Sequence, residues 1–274
     1  MRMCCRTFFI VLWLAVSAKH SLADGLVFQL PKDGTKIVMA GDATVSSHIQ
    51  LSPTVDKNTL SPKALKTLEP TSSNSRVEIV LSVVGTEMIA QKKCRWLQIA
   101  LGEDGNVLEL LVPEHLCARG RDPLAGSIST YFNWKDVDRE AGKIVVPSGF
   151  DRTRYEIERF RPVFPAPLEN VKELPRESLV TKSGSYHNCE VITGTTSFEG
   201  ALLGNGYWEC RTNVSLWLHK EAPFGVVQIS YDSTSSEISE FSTTEISIKS
   251  VLQIESIQDG ANRRLEKMDK RNAE

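Results

Sequence analysis

The stretch Tyr207–Tyr231, YWECRTNVSLWLHKEAPFGVVQISY, decides the fold. From Trp208 to Leu218, Cys210, Thr212, Val214 and Leu216 fall on one side, while Glu209, Arg211, Asn213 and Ser215 fall on the other. A period of two is the pattern of a half-buried strand. Lys220-Glu221-Ala222-Pro223-Phe224-Gly225 interrupts it, and Val226–Tyr231 resumes extended chain. Proline drives the residue before it out of the helical region and glycine relieves the turn, so the segment reads as two strands joined by a bend.

The same alternation recurs upstream. Val77, Ile79, Leu81 and Val83 share one side of a strand, and Gly85 marks a turn or bulge. Lys93–Leu101 sets Cys94, Trp96 and Gln98 against Arg95, Leu97, Ile99 and Leu101, and Asn106–Val112 completes a three-stranded meander over residues 76–112. Further strands are expected at Leu26–Leu30, Thr35–Met39, Lys143–Pro147, Glu177–Thr195 and Thr243–Ile254, with a turn at Pro31–Gly34. Helical signals are few: Pro62–Leu68, a turn opened by Pro113, and the spacing of Leu168, Val171 and Leu174. Between 41 and 75 Ser, Thr and Pro dominate, which reads as a polar insertion with too few large apolar residues to offset ordering entropy. The fold class is mainly β, a curved antiparallel sheet with a few short helices.

The amino terminus places the chain outside the cytoplasm. Arg2 and Arg6 precede the apolar run Phe8–Val16, and Ser21-Leu22-Ala23 gives a cleavage site before Asp24. The run is about half of the ~20 residues that a membrane-spanning helix needs, so residues 1–23 read as a signal peptide, with an uncleaved anchor as the only route to the membrane. A β-rich domain over 24–260 follows, with a division at 24–165 and 166–260 left open, and then a charged tail at 261–274. Cleavage removes Arg2, Arg6 and Lys19 and leaves a net charge of -5, so no basic footprint for nucleic acid exists.

Cys94, Cys117, Cys189 and Cys210 remain in the exported part, an even count that points to two disulfides. Opposed hairpin residues are equidistant from the turn. The midpoint of Cys94 and Cys117 falls at Gly105/Asn106, and that of Cys189 and Cys210 at Glu199/Gly200. Bridges Cys94–Cys117 and Cys189–Cys210 are therefore expected, each contributing ~3 kcal/mol.

Candidate sites are sparse. His115-Leu116-Cys117 and His187-Asn188-Cys189 each offer an imidazole and a thiolate two residues apart, a set that suits zinc, but export favours oxidised cysteines and no metal is assigned. No Gly-x-Ser-x-Gly elbow, phosphate loop or dinucleotide fingerprint occurs, so no catalytic residue and no cofactor is assigned. Trp96, Trp208, Trp217 and Phe224 are the candidates to line the concave side of the sheet and hold an apolar ligand, against the commoner role of filling a core.

Three stretches carry a resemblance: Asp24–Thr35, Lys93-Cys94-Arg95-Trp96 and Ala222–Val227. Through them the chain resembles uncharacterised secreted proteins of the planctomycete type. A tryptophan strand followed by Pro-Phe-Gly and another strand is also similar to lipoprotein-carrier-like half-barrels, which implies a half-barrel or open barrel. The long polar insertion and scarcity of helix depart from that pattern and weaken a lipid-carrier role. The expected function is non-enzymatic binding of an apolar ligand or an envelope protein in the periplasm, at the cell envelope or outside the cell. The alternatives are an envelope hydrolase or zinc-dependent protein using His115 or His187, and a structural part of a surface layer.

Overall fold

The computed structural model describes residues 27–55, 61, 65, 68–101, 107–118, 121, 123, 126–133, 144–145, 168–201 and 207–261. The signal segment, most of Pro62–Leu68, the Gly102–Asn106 turn, the stretches 134–143 and 146–167, and the tail beyond Ala261 lie outside them.

The chain forms one antiparallel sheet. Its strands are β1 (Lys36–Leu51), β2 (Thr71–Ile89), β3 (Lys92–Leu101), β4 (Val107–Pro113), β5 (Ser129–Asn133), β6 (Ile144–Val145), β7 (Glu169–Thr181), β8 (Gly184–Ala201), β9 (Tyr207–Leu218), β10 (Val226–Ile238) and β11 (Ser242–Gln258). Their order across the sheet is β6-β5-β4-β3-β2-β1-β11-β10-β9-β8-β7. Sequence neighbours are thus sheet neighbours within β1–β6 and within β7–β11, β6 and β7 stand at opposite edges, and β1 pairs with β11 to join the two halves of the chain. Among the described residues, helix is confined to a 3-10 turn at Glu114–Leu116, opened by Pro113 as expected, and to Leu65.

The sheet curls so that the apolar sides of its two ends meet. Leu81, Ile99 and Leu110 of β2–β4 lie in one buried cluster with Ile192, Leu216 and Ile229 of β8–β10. Burying each such side chain stabilises the fold by about 1.5–3 kcal/mol. Over β1–β4 the outer side is buried too. Val38, Val80, Ala100 and Val107 form one cross-strand row there, and Cys94, Trp96 and Leu111 form a second cluster. Between these patches Gln98 Nε2 donates to the buried carboxylate of Glu109 at 2.8 Å.

One end of the curl is closed by the segment before β1. Residues 27–30 are not a strand but a strap. Phe28 N–H donates to Phe224 O at 2.9 Å, and Gln29 Nε2 donates to Lys220 O. Arg95, whose side chain is 7% exposed, donates to Pro31 O at 2.7 Å and pairs with Asp33 and Glu114. Glu255 of β11 pairs with Arg76 of β2 and with Lys182 of the β7–β8 turn. These cations, the Lys182 hydrogen bond first, hold the Glu255 carboxyl below its ordinary pKa.

Three further sequence expectations change. Among its described residues the polar insertion is mostly strand: β1 continues to Leu51 and β2 begins at Thr71. Ladder hydrogen bonds need no apolar side chain, and Gly41 is required because a Cβ there would lie 1.9 Å from Val251 O. The helical spacing of Leu168, Val171 and Leu174 belongs to the lead-in and first half of β7. Register shifts and a left-handed Asn170 (φ 53) break its ladder, and one extra residue in a period of two imitates a period of three.

The disulfides are the third correction, because all four cysteines are free and buried. Cys94 stands opposite Pro113 rather than Cys117, because the hairpin is centred at Glu103/Asp104. Its thiol belongs to the outer cluster, whereas Cys117 belongs to the inner core. Cys210 pairs in register with Phe198, while Cys189 adjoins the row of Glu190 and Leu218. That separation is about 26 Å along β9 at ~3.3 Å per residue. A disulfide tolerates a Cα separation of roughly 4.4–6.8 Å.

Candidate functional site

The four aromatic candidates do not converge. Phe224 is 1% exposed within the inner core, under the strap. Trp96 lies in the outer cluster, where its indole Nε1 donates to Glu87 Oε2 at 2.9 Å. Trp217 is half-buried, and its indole donates to Glu177 Oε2 of β7 at 2.7 Å. Trp208 takes a register position opposite Gly200 and Glu237, far along β9 from Trp217. His115 and His187 are both exposed. Among the described residues no group of three or more His, Cys, Asp and Glu is placed to hold a metal ion.

The structure instead draws attention to the inner face where it runs past the core. One core row contains Ile192, Leu216, Ile229 and Leu252, and the core cluster extends past it to Val214 and Tyr231, with Ile248 packed against it. The next inner row, Gly194–Val214–Tyr231–Ser250–Ala43, is still buried, and burial pushes the Tyr231 phenol up. Beyond it runs Thr196–Thr212–Ser233–Ile248–Val45. There Thr212 Oγ1 donates to Ser233 Oγ at 2.9 Å, and the Cys210 thiol lies 3.3 Å from the same oxygen. These hydroxyls satisfy one another, so the row can be buried without a charge.

One row further, Cys210–Ser235–Ile246–Ser47 begins to open to solvent, and Thr244–Ile49 follows. Val45 and Ile49 of β1 with Ile246 and Ile248 of β11 therefore form an apolar strip, each member half-buried. The rows through Val45 and Ser47 carry no charge, the row through Ile49 carries Glu237 of β10 opposite Thr244, and the intervening outer rows carry Asp232 and Lys249, then Arg211, then Glu199, Glu209 and Glu245. The strip can hold an uncharged apolar group and would reject an ion, which would lose its water there without a partner. Ile246 and Ile248 were visible in sequence as part of the last strand. Val45 and Ile49 were not, because they stand alone among Ser, His and Gln.

No family model and no curated protein matches the chain. Among solved structures it is similar to a candidate lipoprotein of Parabacteroides distasonis at 9% identity and TM-score 0.33, over 85% of this chain and 98% of that one. It is similar at the same identity and TM-score to a candidate exported protein with a YmcC-like fold from Bacteroides fragilis, over 85% of this chain and 99% of that one. A likeness to the outer membrane protein OprG of Pseudomonas aeruginosa has TM-score 0.19 at 11% identity, over 83% and 96% of the two chains.

Proposed function

We propose that this is an exported, non-enzymatic binding protein of the cell envelope, which takes an apolar ligand or the apolar edge of a partner on the inner face of its sheet. The observation that carries the reading is the apolar strip of Val45, Ile49, Ile246 and Ile248, each half-buried, which runs from the core edge at Ile248 toward the strand ends, with Glu237 as the one charge in its last row. Ordering these strand ends costs ~1–2 kcal/mol per residue of backbone freedom. Burial within the chain offsets only part of that, and an occupant on the strip would supply further contact. The amino-terminal segment Met1–Ala23 supports an envelope location.

A fluorescent fatty-acid probe titrated into the mature protein tests the reading. Binding is expected, and Ile246→Lys should weaken it by about tenfold or more, since a charge on the strip loses hydration against the probe. Ser247→Lys, on the other face, should leave it unchanged. Equal affinity in all three proteins, or no binding by the unmodified one, would remove the proposal.

A further inference from the structure

The outer face of the same strand ends holds a groove that the inner strip does not explain. It has a volume of about 640 Å³ and is lined by Ser197 and Glu199 of β8, Glu209, Cys210 and Arg211 of β9, and Thr234 and Ser236 of β10. That volume lies in the ~300–1,000 Å³ range of small-molecule sites. Glu199 and Glu209 face each other directly across the β8–β9 ladder, an arrangement of like charges that destabilises a sheet. Tyr207, 36% exposed at the rim, donates its hydroxyl to Glu199 Oε2. That bond pushes the phenol up to about 12, so the donor stays protonated at any physiological pH.

The groove does not end blindly. Ser197, Arg211 and Thr234 belong to a cross-strand row that continues through Ser247 of β11 and Ser46 of β1 to Ser72 of β2. Five of these six positions are hydroxyls, laid out over about 24 Å at ~4.8 Å per strand. Hydroxyls both donate and accept, carboxylates accept, and guanidinium donates in a fixed fork. A phosphate would be repelled by the two glutamates. A divalent cation wants six or more oxygens and would meet Arg211 instead. A ligand that uses every group must bear many hydroxyls, little charge and a repeating form.

We infer that the outer groove and the hydroxyl row leading from it bind a neutral oligosaccharide, with one sugar held between Glu209, Arg211 and Tyr207 and further units along Thr234, Ser247, Ser46 and Ser72. The carboxylate of Glu209 accepts from vicinal hydroxyls, Arg211 donates to ring or hydroxyl oxygens, and the Tyr207 ring offers a flat apolar face. The site is separate from the inner strip, and neither requires the other.

Calorimetric titration of the mature protein with maltohexaose, cellohexaose, laminarihexaose and chitohexaose tests it. Binding of at least one is expected, at micromolar to millimolar affinity and with little dependence on salt. Glu209→Gln and Arg211→Ala should each weaken that binding by about tenfold. Ser247→Lys should weaken the hexasaccharide but not the disaccharide of the same sugar, which reads the row apart from the groove. Thermal melting confirms that each variant is folded. No binding of any hexasaccharide, or salt-sensitive binding of hexalysine in their place, would overturn the inference. Because Ile246→Lys alters the other face, its failure to affect the fatty-acid probe leaves this test standing.

Discussion

Cys117 lies among core side chains with Arg95 and Glu114 nearby. Burial pushes its thiol up to about 12, outweighing the pull of the Arg95 charge, and burial raises Cys189 likewise. A thiol attacks only as thiolate, so Cys117 is inert in the folded state even at mildly alkaline pH, and Cys189 is made less reactive in the same direction. Cys94 and Cys210 are buried as well, in separate places. Ellman's reagent at neutral pH should therefore find almost no thiol in the native mature protein, and four after denaturation without reductant. Two bridges would return none in either state. The two outcomes separate cleanly because native inaccessibility looks like oxidation until the chain is unfolded. At this scale the sequence was least legible. An even cysteine count carries no information about which side of a strand each thiol occupies, and a hairpin off-centre by two residues was enough to part Cys94 from Cys117.

At the scale of elements, the meander of β2–β4 was readable because both its sides are apolar, down to the bulge at Gly85. The distal halves of β1 and β2 were not, since exposed positions such as Thr71–Arg76 leave no pattern of burial to detect. The β2–β3 turn was also hidden. Ile89 pairs with Lys92, leaving Ala90 and Gln91 as a two-residue loop with φ of 46 and 65. That is the type I′ geometry, for which Asn-Gly is the suited pair. A left-handed residue other than glycine costs roughly 1–2 kcal/mol. Ala90→Asn with Gln91→Gly should therefore stabilise the protein by about 1–2 kcal/mol and raise Tm by about 2–8 °C. Differential scanning calorimetry reads this directly, and a lowered Tm would mean that the hairpin turns elsewhere. At the far edge β7 shows the opposite economy. Its Pro175, alternating charges and interrupted register present a poor template to another strand, although Val180 is 78% exposed.

For the molecule as a whole, an open curled sheet needs something to fix its curl, and the strap does this at the end opposite the proposed binding faces. It touches β3 through Arg95 and the β9–β10 bend through Phe28 and Gln29, so it spans the mouth between the two halves of the sheet. The Pro-Phe-Gly bend was legible in sequence as a turn, but its role as a seat for residues 27–30 was not, because nothing local marks a contact across nearly two hundred positions. Gly225 is left-handed (φ 83), and a Cβ there would come within 2.7 Å of Phe28 Cβ. Gly225→Ala should then cost about 2–4 kcal/mol, part from the left-handed backbone and part from lifting the strap. Phe28→Ala keeps the Cβ that a Gly225 methyl would meet but removes the ring, which loosens the strap by itself, so the strap term is not counted twice in the double variant. Urea unfolding of the two single variants and the double should give a combined loss smaller than the sum by about 1 kcal/mol. Additivity within ~0.5 kcal/mol would mean that Phe28 is not seated on the bend, and the curl of the sheet would then have to be fixed by its core and by the Glu255 ion pairs alone.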